Sequence, residues 1–261
     1  MIYKNLLYNG EVEILFNTFN HAYNYNGKSI PSVTGITGTI AKPQLIGWAV
    51  GEAVAFMQDK IKPGVQYDEV ELIGLFNEAK KAHTKSKDKS ADIGTLVHDW
   101  VRRDIKGEKP EMPINLQLQT SIGSYLNWKK EHKVEFKCSE QVVYSRKHHF
   151  CGTFDFNAIV DGEFSLSDMK TSSGVYDETF AQLAGYELAR TEEFPSEVYK
   201  RRFILWIGRN GDFDVVESKR PDTALEMFLG AKKIFDAQKT YKEDYFEAKK
   251  KAQSATWLLA E

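Results

Sequence analysis

Cysteine is almost missing from this chain of 261 residues, which carries only Cys138 and Cys151. Two thiols are too few for a disulfide framework, a four-cysteine zinc site or a cysteine-ligated iron–sulfur cluster. Both are expected to be plain strand or core residues, and no iron–sulfur cluster is expected. Also lacking is any apolar run near the roughly 20 residues that a spanning helix needs. The N-terminal stretch "MIYKNLLYNGEVEILF" has no signal-peptide layout. The expectation is a cytosolic protein, or one of the host cytoplasm if the gene is a phage's. Charge of a single sign is absent too: 35 Lys and Arg oppose 37 Asp and Glu, which excludes a basic surface over the whole chain but leaves room for a local basic cleft.

What is present fits one soluble domain. Hydrophobic residues make up 42% and charged residues 28%, values that suggest neither disorder nor a membrane span. Residues 11–33 alternate as strands do, and Asn26-Gly27 is a hairpin-turn signal. From Pro43 the spacing turns helical, with helices predicted over 44–61, 68–86, 91–106 and 114–132. Beyond Ser139 the segments "SEQVVYS", "GTFDFNAIV" and "EFSLSDMKTS" read as three strands. An amphipathic helix "YDETFAQLAGYELART", a hairpin about Asn210-Gly211 and a last helix from Pro221 complete the pattern. This predicts a single α/β (α+β) domain over 1–261, a small mixed sheet flanked by helices. Within it, 1–42 form a hairpin region, 43–133 are mainly helical, and 134–261 hold the sheet and C-terminal helices.

The stretch Ala22–Ser29, "AYNYNGKS", imitates a phosphate-binding loop, but such a loop must join a strand to a helix. Here a hairpin turn and Pro31 intervene, so nucleotide hydrolysis stays only as a weak rival.

The segment "SLSDMKTS" is different, because it reads as a buried strand yet sets Asp168 and Lys170 on one face. Asp155 lies on the preceding strand beyond a short turn at Asp161-Gly162. If the two strands pair antiparallel, the carboxylates of Asp155 and Asp168 converge to roughly 5 Å. Hard oxygen ligands held that close suit Mg²⁺ or Mn²⁺, with Lys170 completing a metal-and-lysine site. Thr171 and Ser172 follow as candidate phosphate donors.

The order Asp, twelve residues, Asp-Met-Lys and then a helix bearing Gln182 and Tyr186 resembles the PD-(D/E)XK nuclease superfamily. More closely, the chain resembles its RecB-type and phage exonuclease branch, which includes the mitochondrial genome-maintenance exonuclease. Four further pieces match: "PSVT" at Pro31–Thr34, "GTLVH" at Gly94–His98, "GTFD" at Gly152–Asp155 and "QLAGY" at Gln182–Tyr186. The resemblance implies a restriction-endonuclease-like core in which Asp155, Asp168, the Met169 carbonyl and His98 bind Mg²⁺ or Mn²⁺. It gives Lys170 the attacking water, as base or as charge stabiliser, and Gln182 the orientation of lysine, water or phosphate. Tyr186 packs or bonds nearby, Ser32 and Thr34 approach the substrate, and Glu140 occupies a strand where relatives often carry an acid.

A nuclease must also hold a polyanion, and local cations occur in "WVRRDIKG", "NWKKEHK", "SRKHH" and "YKRRF". Arg102 and Arg103 rank first, because they follow His98 on its own helix. Tyr23, Tyr25 and Trp48 are candidates for stacking on unpaired bases. The expected activity is metal-dependent exonucleolytic cleavage of DNA, single-stranded by preference. A phage-type double-strand exonuclease and an inert nucleic-acid-binding module on the same fold are the alternatives.

Overall fold

The computed structural model describes residues 1–208 and 212–258, with side chains described as far as residue 246 apart from Lys89. Two sheets organise it. The first is a four-stranded antiparallel meander of β1 (Ile2–Leu7), β2 (Val12–Asn17), β3 (Ala22–Tyr25) and β4 (Lys28–Ile30). Asn26 and Gly27, both at positive φ, make the two-residue turn between β3 and β4. The predicted hairpin is therefore part of a larger sheet, in which Ile2–Leu7 also forms a strand.

A short helix, α1 (Val33–Thr37), follows, capped by the Ser32 hydroxyl accepting from the Gly35 amide at 2.9 Å. Next come α2 (Gln44–Lys60) and α3 (Glu69–Ile105), the latter 37 residues and about 55 Å long. Two helices were predicted where α3 runs unbroken. The Lys87–Ser90 stretch has no apolar residue to carry a periodicity, but it also has no glycine or proline to stop a helix. Asp68 and Glu71 close a reciprocal capping box at its start.

After α4 (Leu116–Glu131) the second sheet begins, with β5 (Val134–Ser145), β6 (Phe150–Val160), β7 (Glu163–Lys170), β8 (Arg201–Ile207) and β9 (Phe213–Glu217) in that spatial order. Strands β5, β6 and β7 are antiparallel neighbours, whereas β7 and β8 run parallel, joined through α5 (Asp177–Glu193). Pairing of β8 with β9 matches the predicted hairpin; its turn, Asn210-Gly211, lies outside the described residues. The last helix, α6 (Pro221–Leu258), starts at the predicted proline; the side chains of its lysine-rich "EAKKKAQ" lie outside the described residues.

Each face of the five-stranded sheet is covered. Helices α1, α5 and α6 bury one side around Phe154, Leu166, Tyr186 and Phe228. Val97 and Val101 of α3 and the apolar face of α4 cover the other around Phe156, Met169 and Phe203. Beyond them the four-stranded sheet packs on Val142, Tyr144 and Cys151 of β5 and β6. Cys151 is buried there and Cys138 lies on β5, so both cysteines are strand residues. Among the described residues no helix is long and apolar enough to cross a membrane.

Helices α5 and α6 approach closely where Gly185 meets Phe228; a Cβ at Gly185 would lie 2.6 Å from that ring. Gly185→Ala is expected to destabilise by about 1–3 kcal/mol despite alanine's better helix propensity, because the ring is locked in the core. Urea unfolding with an unchanged m-value is the check.

Candidate active site

The site forms where two strands part. The β6–β7 ladder runs from Val160–Glu163 to Phe156–Ser167 and stops. Beyond that point β6 stays with β5 as far as Phe150, while β7 stays with β8 as far as Lys170. Asp155 and Asp168 are the next residues in register, so they stand at the mouth of the fork. Backbone groups released by a fork need new partners. The Met169 amide finds one in Asp155 Oδ2, donating at 2.5 Å.

A break in alternation accompanies the fork. Phe150 and Phe154 point into the α5 layer, yet Phe156, Ala158 and Val160 point into the α4 layer. The change of phase falls at Asp155. Opposite it in the β5–β6 register lies Glu140, held at φ +50. A non-glycine residue in that region bends its strand and marks local strain.

Four charges meet here. Nδ1 of His98, on α3, lies 3.5 Å from Asp155 Oδ1, and the Lys170 ammonium pairs with Asp168 Oδ2. Gln182 of α5 donates its amide to Asp168 Oδ1 at 3.4 Å and to the Tyr186 hydroxyl at 2.7 Å. Burial raises the Asp168 carboxyl to about 6, Lys170 opposing and Asp155 adding to the rise. Asp155 is half-buried, which alone would raise it, but His98, Lys170 and the Met169 amide outweigh that and hold its carboxyl below the usual range. Burial would lower His98 and Lys170; the carboxylates overcome it and raise both. Glu140 is lifted to about 7 by burial and then by Asp155.

Two glycines from the sequence motifs permit this convergence. At Gly94 a Cβ would come 2.5 Å from Thr171 Oγ1, so glycine lets α3, which carries His98, approach the end of β7 without displacing that hydroxyl. At Gly152 a Cβ would meet the Tyr186 ring at 2.5 Å and Val33 at 2.9 Å. That contact seats Tyr186 against β6, behind Gln182.

The fork opens into a cleft of about 710 Å³ between the four-stranded sheet and α3, lined among others by His98, Arg102, Glu140, Thr171 and Tyr186. Ser32 and Thr34 reach it because Cys151 donates its amide to the Pro31 carbonyl, fixing "PSVT" beside β6. Tyr186 is 3% exposed and packs against Phe154, so it anchors and positions. Arg102 reaches the cleft while paired with Asp99, whereas Arg103 pairs with Glu108 at 2.9 Å. Ser172 donates its hydroxyl to Gly174 O and its carbonyl accepts from the Trp206 indole N–H.

Tyr23 lines the cleft with its hydroxyl on Thr153, but Tyr25 packs near Tyr144 and Trp48 near His83, both away from it. Lys129 is engaged by Asp104, and Arg201 and Arg202 by Glu217 and Glu187. Phe16, His21 and Thr153 line the cleft without having been anticipated, since nothing in the local pattern says that the N-terminal sheet lies over β6. Glu140, named from the sequence as an acid on the first strand of this sheet, does line the cleft, opposite Asp155 in the β5–β6 register.

Neither a scan against protein-family models nor a search of curated proteins finds a match for this chain. The functional reading therefore rests on its own side chains. Among the described residues no three His, Cys, Asp or Glu side chains are grouped as a ready metal site. The two carboxylates are instead neutralised in pairs, by His98 and by Lys170. The donor chemistry still suits a hard divalent cation: two carboxylates, an imidazole, and Asp168 Oδ2, which is buried and makes no hydrogen bond beyond its ion pair.

Proposed function

We propose that the chain is a divalent-cation-dependent deoxyribonuclease, an exonuclease that hydrolyses phosphodiester bonds near the free ends of single-stranded DNA. One observation carries the reading: the fork between β6 and β7 gathers Asp155, Asp168, Lys170 and His98, and His98 together with Thr171, the residue after Lys170, lines the adjoining cleft.

Asp155 and Asp168, with the Met169 carbonyl and His98, would hold Mg²⁺ or Mn²⁺, which when bound supplies Lewis acidity and a water of lowered pKa. Lys170, kept protonated by the neighbouring carboxylates, offsets charge that builds on the phosphoryl oxygens. Gln182 holds Asp168 in place, and Tyr186 holds Gln182. Arg102, Ser32, Thr34 and Thr171 stand along the cleft as partners for phosphate. Phe16 and His21 on its opposite wall offer faces to splayed bases, which supports a single strand as substrate.

The test offers linear single strands, linear duplexes and closed single-stranded circles side by side. Mg²⁺ or Mn²⁺ is expected to allow shortening of the linear single strands, chelator to stop it, and circles to survive. Asp155→Asn is expected to remove the activity. Rapid cutting of circles would assign endonucleolytic chemistry instead, and tight binding with no cleavage in either metal would leave only a nucleic-acid-gripping module.

A further inference from the structure

A second concave site, of about 1090 Å³, shares the β3–β4 hairpin with the candidate active site but none of its lining residues. Lys28 of β4, Lys147 of the β5–β6 turn, and Lys232, Lys233 and Lys239 of α6 line it, with Asp236 as the single carboxylate. Asp236 is already paired with Lys232. Lys28, Lys147 and Lys233 are exposed and make no ion pair among the described residues. In a chain whose net charge is −2, this excess of cations on one groove is not a sample of the average surface.

The cations come from three separate segments, so they do not form the solvated face of one helix. One wall is rigid: Glu192 of α5 accepts from the Lys147 amide at 3.0 Å and from Ser145 Oγ at 2.6 Å. That carboxylate locks the β5–β6 turn and is occupied by it. Between the lysines the floor is apolar and aromatic, with Ile30, Leu229 and the half-buried Tyr25. His148 lies on the same wall, its pKa lowered by burial and then by Lys147, so it is a neutral ring near pH 7. Gathered lysines repel one another, and a concave surface concentrates their field. An extended polyanion relieves that repulsion, and flat faces between the charges suit bases.

We propose that this groove binds the sugar-phosphate backbone of a single-stranded nucleic acid, as an anchor apart from the cutting cleft. Lys28, Lys147 and Lys233 contact phosphates, and Tyr25 and His148 offer faces to bases. The "SRKHH" cluster thereby gains a role that the cleft does not give it. Binding here requires no catalysis, so it stands or falls separately from the nuclease reading.

The experiment measures fluorescence anisotropy of a labelled oligothymidylate of about 20 nucleotides, longer than a single groove spans, with chelator present throughout. The wild-type chain is expected to bind with an affinity that falls steeply as salt rises. The triple variant Lys28→Ala, Lys147→Ala, Lys233→Ala is expected to bind about 10- to 100-fold more weakly, with a log–log salt slope shallower by about 2. Its melting temperature should match the wild type, since these side chains are exposed. A control triple variant, Lys4→Ala, Lys60→Ala, Lys137→Ala, removes equal charge elsewhere and should lose little. Equal losses in the two triples, or no loss in the first, overturns the proposal. So does a groove variant that loses binding to anionic phospholipid vesicles while keeping its affinity for the oligonucleotide.

Discussion

Lys170→Ala is expected to lower the rate of DNA hydrolysis by about 100- to 1,000-fold while the protein stays folded. The ammonium sits at the end of β7, where the chain has left its β6 partner, one residue before Thr171, which lines the cleft. Removing it takes a fixed positive charge from the place where negative charge would grow. Initial rates on end-labelled single strands in Mg²⁺ are the measure; digestion equal to the wild type would reject the site.

The same variant has a second signature in metal-free buffer. Asp168 is 3% exposed, and its carboxyl stands at about 6 with Lys170 opposing the rise. Without Lys170 it must stand higher. A folded-state value raised above the unfolded one means that the folded chain binds the extra proton, so that contribution to stability fades as pH rises towards the folded value. Wild-type protein has passed through this window once pH exceeds about 6. The variant should go on losing melting temperature from there towards pH 8. Parallel curves for the two proteins would show that Lys170 does not govern the Asp168 proton.

Gly152→Ala is expected to cost about 1–3 kcal/mol of stability and most of the activity together. Its new methyl would meet two carbons of the Tyr186 ring and one of Val33, all within 3 Å. Neither neighbour has room to retreat, because both belong to the same closed core. A displaced Tyr186 lets go of Gln182, and Gln182 in turn lets go of Asp168. Tyr186→Phe separates the two effects. It deletes the hydroxyl with no crowding, so it should cost about 0.5–1.5 kcal/mol and a smaller share of rate. Chemical denaturation combined with initial rates distinguishes the variants; Gly152→Ala behaving like Tyr186→Phe would show that the core yields to the methyl.

Much of the second sheet was legible because its signals are local. Asp161-Gly162 specifies a two-residue turn, and both residues do adopt positive φ. Such a turn fixes an antiparallel register, and the register sets Asp155 opposite Asp168. Helix α3 was misread as two pieces because apolar spacing reports which side is buried, not whether the backbone stays helical. The separation of β6 from β7 at Asp155 carried no local signal, because it depends on each strand keeping its outer neighbour.

By itself the sequence determined the chemistry available at the fork: which residues carry carboxylates, the imidazole, the ammonium and the amide, and which glycines leave room beside them. Only the tertiary structure decided that these groups meet, that the N-terminal sheet walls the cleft, and that "SRKHH" joins lysines of α6 in a separate groove. The reason is physical. Residue type and turn conformation depend on neighbours along the chain. Juxtaposition of α3, β7, α5 and α6 depends on burying two opposite sheet faces at once, a condition that no short stretch of sequence contains.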